Sequence, residues 1–384
     1  MNFKTSCTLY LVTMLLLGCG SDGRNGSANL DPDEENRGCP INIASGSGCE
    51  ILNFSDGEAI SYKLPILYGQ CPAGETTLDI DVAGKTYTWP VAAGYFKGAV
   101  MLERGENEIC MQSSEGSVST TLRYEPSDNP QKVRMIYAIA ANDDGKFLAG
   151  PGVASDIETA KQIITVQSLM MQSATAEMIY KTTGIHQTYS VVEDEDGMPI
   201  IEVFAVSETR DELYAMDGLD IYYSVQDQLG TEAQNTDKYL VIMGFSGYEN
   251  GKTLAHAALG GGNLGIFGGL HLHACPRTVE EIPSRFSDDT RIDTNILPDD
   301  SASRGTYWAN CATGIGASLH ELGHTFGLPH TDYGIMARGF DRLNRLFMMT
   351  EPGHDAPLTT DAEYDAVWHP DSLNILLNNP WITD

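Results

Sequence analysis

The stretch HELGHTFGLPH, His320 to His330, holds three of the chain's nine histidines and one glutamate. With this chain's own histidine and glycine frequencies, the pattern H-E-x-x-H-x-x-G-x-x-H arises by accident in on the order of a few chains in 10⁵. Its spacing has a physical reading. On a helix, His320 and His324 are one turn apart on one face and can grip a single ion. Residues 312–326 read as that helix, with Ile315, Leu319 and Leu322 on its packed side. Glu321, beside the first ligand, can reach a water at the ion rather than the ion itself. Gly327, free to take positive φ, ends the helix, and Pro329 forbids its continuation, so His330 returns as a third ligand. Three neutral imidazoles with one open position suit catalytic rather than structural Zn²⁺. The expected metal set is therefore His320, His324 and His330, with Glu321 as general acid–base.

Other groups give weaker chemistry. His271 and His273 alternate along what reads as a strand and could bind a second ion, but no carboxylate stands at ligand spacing, and packing is the reading preferred. His186, His256, His354 and His369 are read as packed or surface residues. Asp288-Asp289 and Asp299-Asp300 lack the spacing of a calcium loop and read as solvated turns. Acidic residues outnumber basic ones by 53 to 23, for a net charge of -30. That field repels phosphate backbones, so a nucleic-acid partner is not expected.

The elements that must position the site follow from composition and period. Lys4 and the apolar run 7–17 make residues 1–18 a signal peptide, too short to span as a stable helix. Residues 19–38 are small, polar and acidic, the composition of a flexible tether. Residues 39–126 carry short alternating runs such as 77–82, 85–89 and 118–124, parted by turn signals, and read as a β-sandwich-like domain. The segment 125–130 has linker chemistry. Residues 131–384 then alternate strands (133–140, 198–206, 239–243) with helices (157–182, capped by Ser155-Asp156, and 208–229). The fold class expected is α+β, a β-sandwich-like domain followed by an α/β catalytic domain. Six cysteines remain once Cys7 and Cys19 are set aside. Sequence does not fix their connectivity, and nearest-neighbour pairing suggests Cys39–Cys49, Cys71–Cys110 and Cys275–Cys311.

Two resemblances add to this. Leu16-Leu17-Gly18-Cys19 resembles the lipobox of bacterial lipoproteins, which implies cleavage before Cys19, its lipidation, and an anchor in the cell envelope. Gly20 in the next position favours the outer membrane. The His320–His330 segment resembles the metzincin zinc endopeptidases at every fixed position of their consensus. That resemblance implies a methionine-bearing turn beneath the metal, for which Met336 in Gly334-Ile335-Met336 is the candidate, and protein or peptide as substrate. It also implies a rim strand before the helix, here 253–260. The stretch 334–347 and Trp368-His369 look like a family of zinc metalloproteinases known from fungal genomes, whose β-rich domain also precedes the catalytic one. Where two metzincin branches place a tyrosine two residues beyond the methionine, this chain has Arg338, which leaves the oxyanion partner open between Arg338 and another group. A binding or adhesion lipoprotein on an inactive metzincin scaffold, or a zinc hydrolase of cell-wall cross-links, are the rival readings.

Overall fold

The computed structural model describes residues 48–231, 237–359 and 365–383. The expected signal segment and tether, with Cys19 and Cys39, lie outside the described residues. The described residues belong to one compact unit.

Eight strands come first: β1 (Glu50–Ile51), β2 (Glu58–Ile60), β3 (Ile66–Gln70), β4 (Thr77–Val82), β5 (Lys85–Ala92), β6 (Tyr95–Ala99), β7 (Gly105–Ser113) and β8 (Gly116–Tyr124). They run in the order β1-β3-β6-β5-β4-β7-β8-β2. All pairings are antiparallel except β2–β8. One strand joins the two halves: β5 pairs with β4 through residues 85–90 and with β6 through Val91 and Ala92. Pro90, which has no N–H to give a ladder, sits where the partner changes. Alternate residues Leu78, Ile80, Val82, Tyr87 and Trp89 are buried, the period-2 face of a sheet curled over its own core.

The disulfides correct part of the expected pairing. The β1–β3 register sets Glu50 opposite Gln70, so the residues just outside it, Cys49 and Cys71, meet with Cα atoms 4.1 Å apart and are bonded. Cys39–Cys49 and Cys71–Cys110 are thereby overturned, because strand register decides pairing, not proximity in sequence. Cys110 is also disulfide-bonded, and Cys275–Cys311 forms as expected.

The second half is built on a five-stranded sheet. Its elements are β9 (Lys132–Ile139), α1 (Ile157–Thr183), β10 (Thr188–Tyr189), β11 (Ile201–Ala205), α2 (Arg210–Ala215), α3 (Gly218–Leu229) and β12 (Asp237–Met243). The hairpin β13 (Gly247–Glu249) and β14 (Lys252–Leu254), then β15 (Ala258–Gly261) and β16 (Leu264–Gly268), complete the strands before the helix α4 (Ile282–Arg285) and the long α5 (Tyr307–Thr325). Sheet order is β11-β9-β12-β16-β15, parallel except for the outermost β15. Alternation in the central strands sorts the layers. Met135, Tyr137, Leu240 and Ile242 face the core shared with α1 and α5. Ile136, Ala138, Val241 and Met243 face the cluster under α2 and α3. Burial on both faces explains the near-continuous apolar run of β12. Short helices α6 (Asn344–Phe347) and α7 (Pro370–Leu376) and the strand β17 (Ile382–Thr383) close the chain. No described helix is long and apolar enough to cross a membrane.

Two expectations along this half change. The helix expected over 208–229 breaks into α2 and α3, because the Asp217 carboxylate accepts from the Leu219 and Asp220 N–H groups and starts a new helix. The strand expected through His271 and His273 is a 3₁₀ helix, Gly269–Ala274, with every residue buried, so period alone carried no information there.

The β-rich half and the sheet half share one apolar core. Polar ties cross between them as well: Asn53 Nδ2 donates to Glu177 at 3.0 Å, and Lys63 Nζ to the Asp196 carbonyl at 2.7 Å. His186, buried, stacks between Phe54 and Tyr180 and touches Glu58 at 3.0 Å and Glu177 at 3.3 Å, the packing role read from sequence.

Candidate metal centre

Helix α5 carries His320 and His324 on one face, and its end is built as the residue types demand. Gly327 takes φ of 84°, and the Gly327 and Leu328 N–H groups donate to the carbonyls of His324 and Gly323. The chain then turns back and brings His330 beside the helix. The Nε2 atom of His324 lies 3.1 Å from that of His320 and 3.2 Å from that of His330. Among the described residues these three form the group of convergent metal-ligating side chains.

Hydrogen bonds decide which nitrogens face one another. His320 Nδ1 donates to the Ile335 carbonyl at 2.7 Å, and His324 Nδ1 to the Leu328 carbonyl at 2.8 Å. Carbonyls only accept, so each Nδ1 carries the proton and each Nε2 of these two rings presents a lone pair. Lone pairs crowded at about 3 Å repel unless a cation lies between them. Ligand nitrogens around a tetrahedral Zn²⁺ at about 2.05 Å stand roughly 3.3 Å apart, close to the spacing here. The donor set therefore fits the ion.

Burial pushes the imidazole of His320 down to about 4, with the Ile335 carbonyl opposing, and lowers His324 as well. Both shifts favour the neutral, ligating form. Glu321 is 6% exposed, and burial alone pushes its carboxyl up to about 8. A dication beside it would draw that value back down. A cavity of about 420 Å³ opens over these groups, lined among others by His320, Glu321, His330 and Met336.

Two close contacts hold the centre. The turn closed by the Ala337 N–H on the Gly334 carbonyl at 3.0 Å places Met336, which is buried, under α5. A Cβ at Gly323 would lie 2.7 Å from Met336 Sδ, so the absence of a side chain there lets the methionine pack directly against the helix. On the other side, β15 runs along the helix so closely that a Cβ at Gly260 would lie 2.2 Å from the Glu321 carbonyl oxygen. This outermost strand, over Ala258–Gly261, is shorter than the rim expected over 253–260, since residues 252–254 belong to the separate β13–β14 hairpin.

Other expectations sort themselves around this frame. Arg338 lines the cavity, but its guanidinium pairs with Asp341 at 3.0 and 3.1 Å. His271 Nε2 meets Gln167 at 3.1 Å and His273 Nε2 meets Asn310 at 3.2 Å, both internal contacts away from the trio. Sequence reasoning missed Asp300, read as part of a solvated turn: it lines the same cavity as Glu321.

Two curated relatives share recognisable sequence with this chain. A protein of Saccharomyces cerevisiae named "Putative zinc metalloproteinase" is 25% identical over 343 residues, 79% of this chain and 49% of its own length. A Schizosaccharomyces pombe protein with the same descriptive name is 26% identical over 78% of this chain and 53% of its own. This chain thus spans about half the length of those relatives. Among solved structures, OgpA from Akkermansia muciniphila overlays with a TM-score of 0.41 at 11% identity, covering 66% of this chain and 62% of that one. Archaemetzincin from Methanopyrus kandleri overlays with a TM-score of 0.30 at 11% identity, covering 66% and 97%. Overlays this loose say nothing about the site. The model of the metallopeptidase family described as "Putative peptidase family" matches residues 48–383, and over that span, most of its length, the chain belongs to that family.

Proposed function

We propose that this chain is a zinc-dependent endopeptidase of the metzincin type, carried on an exported protein that is lipid-anchored through Cys19 to the outer membrane of a bacterial envelope. The observation that carries the catalytic reading is the meeting of three imidazole nitrogens with a buried, unpaired Glu321 in one open cavity. His320, His324 and His330 would hold the ion, and the Met336 turn, packed against Gly323, supports the helix from below. When bound, zinc polarises a carbonyl and brings the pKa of water from about 15.7 to about 7.

The remaining work falls to the chain's own groups. Glu321 takes a proton from the water whose oxygen attacks the scissile carbonyl carbon. It hands that proton to the departing amine nitrogen as the C–N bond breaks. β15 is the last strand of its sheet, and an extended peptide would bind along it as one more strand. Arg338 is held by Asp341 and is not assigned the oxyanion.

The rival reading, a binding lipoprotein without catalysis, has no need of Glu321 at that place. Purified zinc-loaded protein should cleave members of a proteome-derived peptide library. Chelator and Glu321→Ala should each abolish cleavage, with Glu321→Ala still binding zinc. Full activity in Glu321→Ala would remove it as the base. Hydrolysis of cell-wall cross-links with every peptide left intact would overturn the endopeptidase assignment.

A further inference from the structure

Asp300 is an anomaly that the chemistry above does not use. Its Oδ2 is buried and has no hydrogen-bond partner, and burial, with Asp341 and Asp299 nearby, raises its carboxyl to about 6 against the opposing pull of Arg338. An uncompensated buried carboxylate is destabilising, and such groups persist where function needs them.

Neighbouring cations are committed elsewhere. Arg338 lies 4.8 Å over the Phe340 ring and is paired with Asp341. Arg304 donates to the carbonyls of Ser301 and Asp341 and to Thr313 Oγ1, at 2.7 to 2.8 Å. Those same bonds hold the loop that carries Asp300, as does the Gly305 N–H on Ser301 Oγ at 2.7 Å. Ala302 and Ser303 sit there at positive φ, 54° and 63°, a conformation that the surrounding bonds must impose. Asp300 is thus a carboxylate on a braced loop rather than a side chain free to seek a partner. Among the described residues it joins no set of three converging ligands, so a cation cage of protein groups is not what it serves.

Its place in the cavity says what it serves. The cavity of about 420 Å³ holds Asp300 together with His320 and Glu321, and Phe267, Ala317 and Phe340 give it apolar walls. Apolar walls and a carboxylate in one cavity match a long aliphatic side chain that ends in a cation. We infer that Asp300 is the specificity-determining residue of this cleft, and that it selects substrates with lysine or arginine at a position flanking the cleaved bond. This rests on the peptidase reading of the same cavity and names its substrate class.

Two arms test it. In the first, the zinc-loaded full chain digests a peptide library, and kcat/KM is measured for a matched pair that differs only by lysine or norleucine at the selected position. Wild type should prefer lysine by about ten- to a hundredfold, the worth of a hydrogen bond to a charged group. Asp300→Asn should bring the ratio near one while norleucine peptides are still cleaved, and Asp300→Lys should favour glutamate. A wild-type profile with no basic preference on either side of the bond overturns the inference, as does an unchanged ratio in Asp300→Asn. The second arm measures binding of the same peptides to Glu321→Gln protein with and without Asp300→Asn. A lysine preference in binding that Asp300→Asn abolishes, with no cleavage by wild type, would sink the peptidase reading and keep Asp300 as the group that recognises a basic side chain; equal affinity of the Asp300-bearing protein for both peptides would sink the role of Asp300.

Discussion

At Gly260 two elements approach until there is no room for a methyl group. The added Cβ of Gly260→Ala would meet the Glu321 carbonyl oxygen at 2.2 Å and His324 Cβ at 2.9 Å. Backbone and helix packing cannot step aside as a long side chain would. The substitution should cost about 1–3 kcal/mol, the usual penalty of overpacking, and should lower activity because the displaced atoms belong to the ligand helix. Denaturant midpoints of the two proteins check the first part, and an unchanged midpoint would show that β15 is not seated as described. The same scale shows what a sequence can tell. His320, His324 and Glu321 were legible because the helical repeat alone brings them together. Asp300 was not, since it reaches the cavity that Glu321 also lines from a loop distant in sequence, and nothing local to Asp299-Asp300 records that.

At the scale of elements, α5 is tied at both ends. Its C-terminal part is held through the carbonyls of Leu328 and Ile335, which the returning chain supplies to the two helical histidines. The segment that brings His330 therefore also orients the other two rings. Near its N-terminus, Cys311 is bonded to Cys275, 36 residues away in sequence. Replacing both with serine should lower stability by about 3–4 kcal/mol by the loop-entropy estimate. Equilibrium unfolding of the double variant measures this, and an undiminished free energy would contradict the bond's role. The elements were read from sequence where period and caps agreed, as in α1, which Asp156 caps and Gly184 ends in the left-handed conformation. They were misread where burial was complete, as at His271 and His273, or where register ruled, as at Cys49 and Cys71. A wholly buried segment shows no period, and a register is a property of two strands rather than one.

For the whole molecule, the β-rich half and the sheet half act as one folded body, and buried titratable groups tie its stability to pH. Burial pushes His271 down to about 3, while burial and the nearby Arg285 push His273 down to about 4. An unfolded histidine titrates near about 6.5. Between that value and about 4 the unfolded chain binds protons that the folded chain refuses, so this part of the stability falls as pH falls. Glu321 and Asp300, both raised, act in the opposite direction when no cation is bound. The histidine part is isolated by difference. Relative to His271→Leu, wild type should lose stability on going from pH 6.5 to 4, by at most about 1.4 kcal/mol per pH unit. A difference that stays constant over that range would mean that His271 is not buried in neutral form.

The claim on which all of this turns is that three imidazoles share one ion. X-ray absorption at the zinc edge of the purified, metal-loaded chain reads that directly. The account predicts three imidazole nitrogens at about 2.0–2.1 Å with one oxygen ligand from solvent, and loss of that signal in His320→Ala. Sulfur in the first coordination shell, or an unchanged spectrum in His320→Ala, would contradict it.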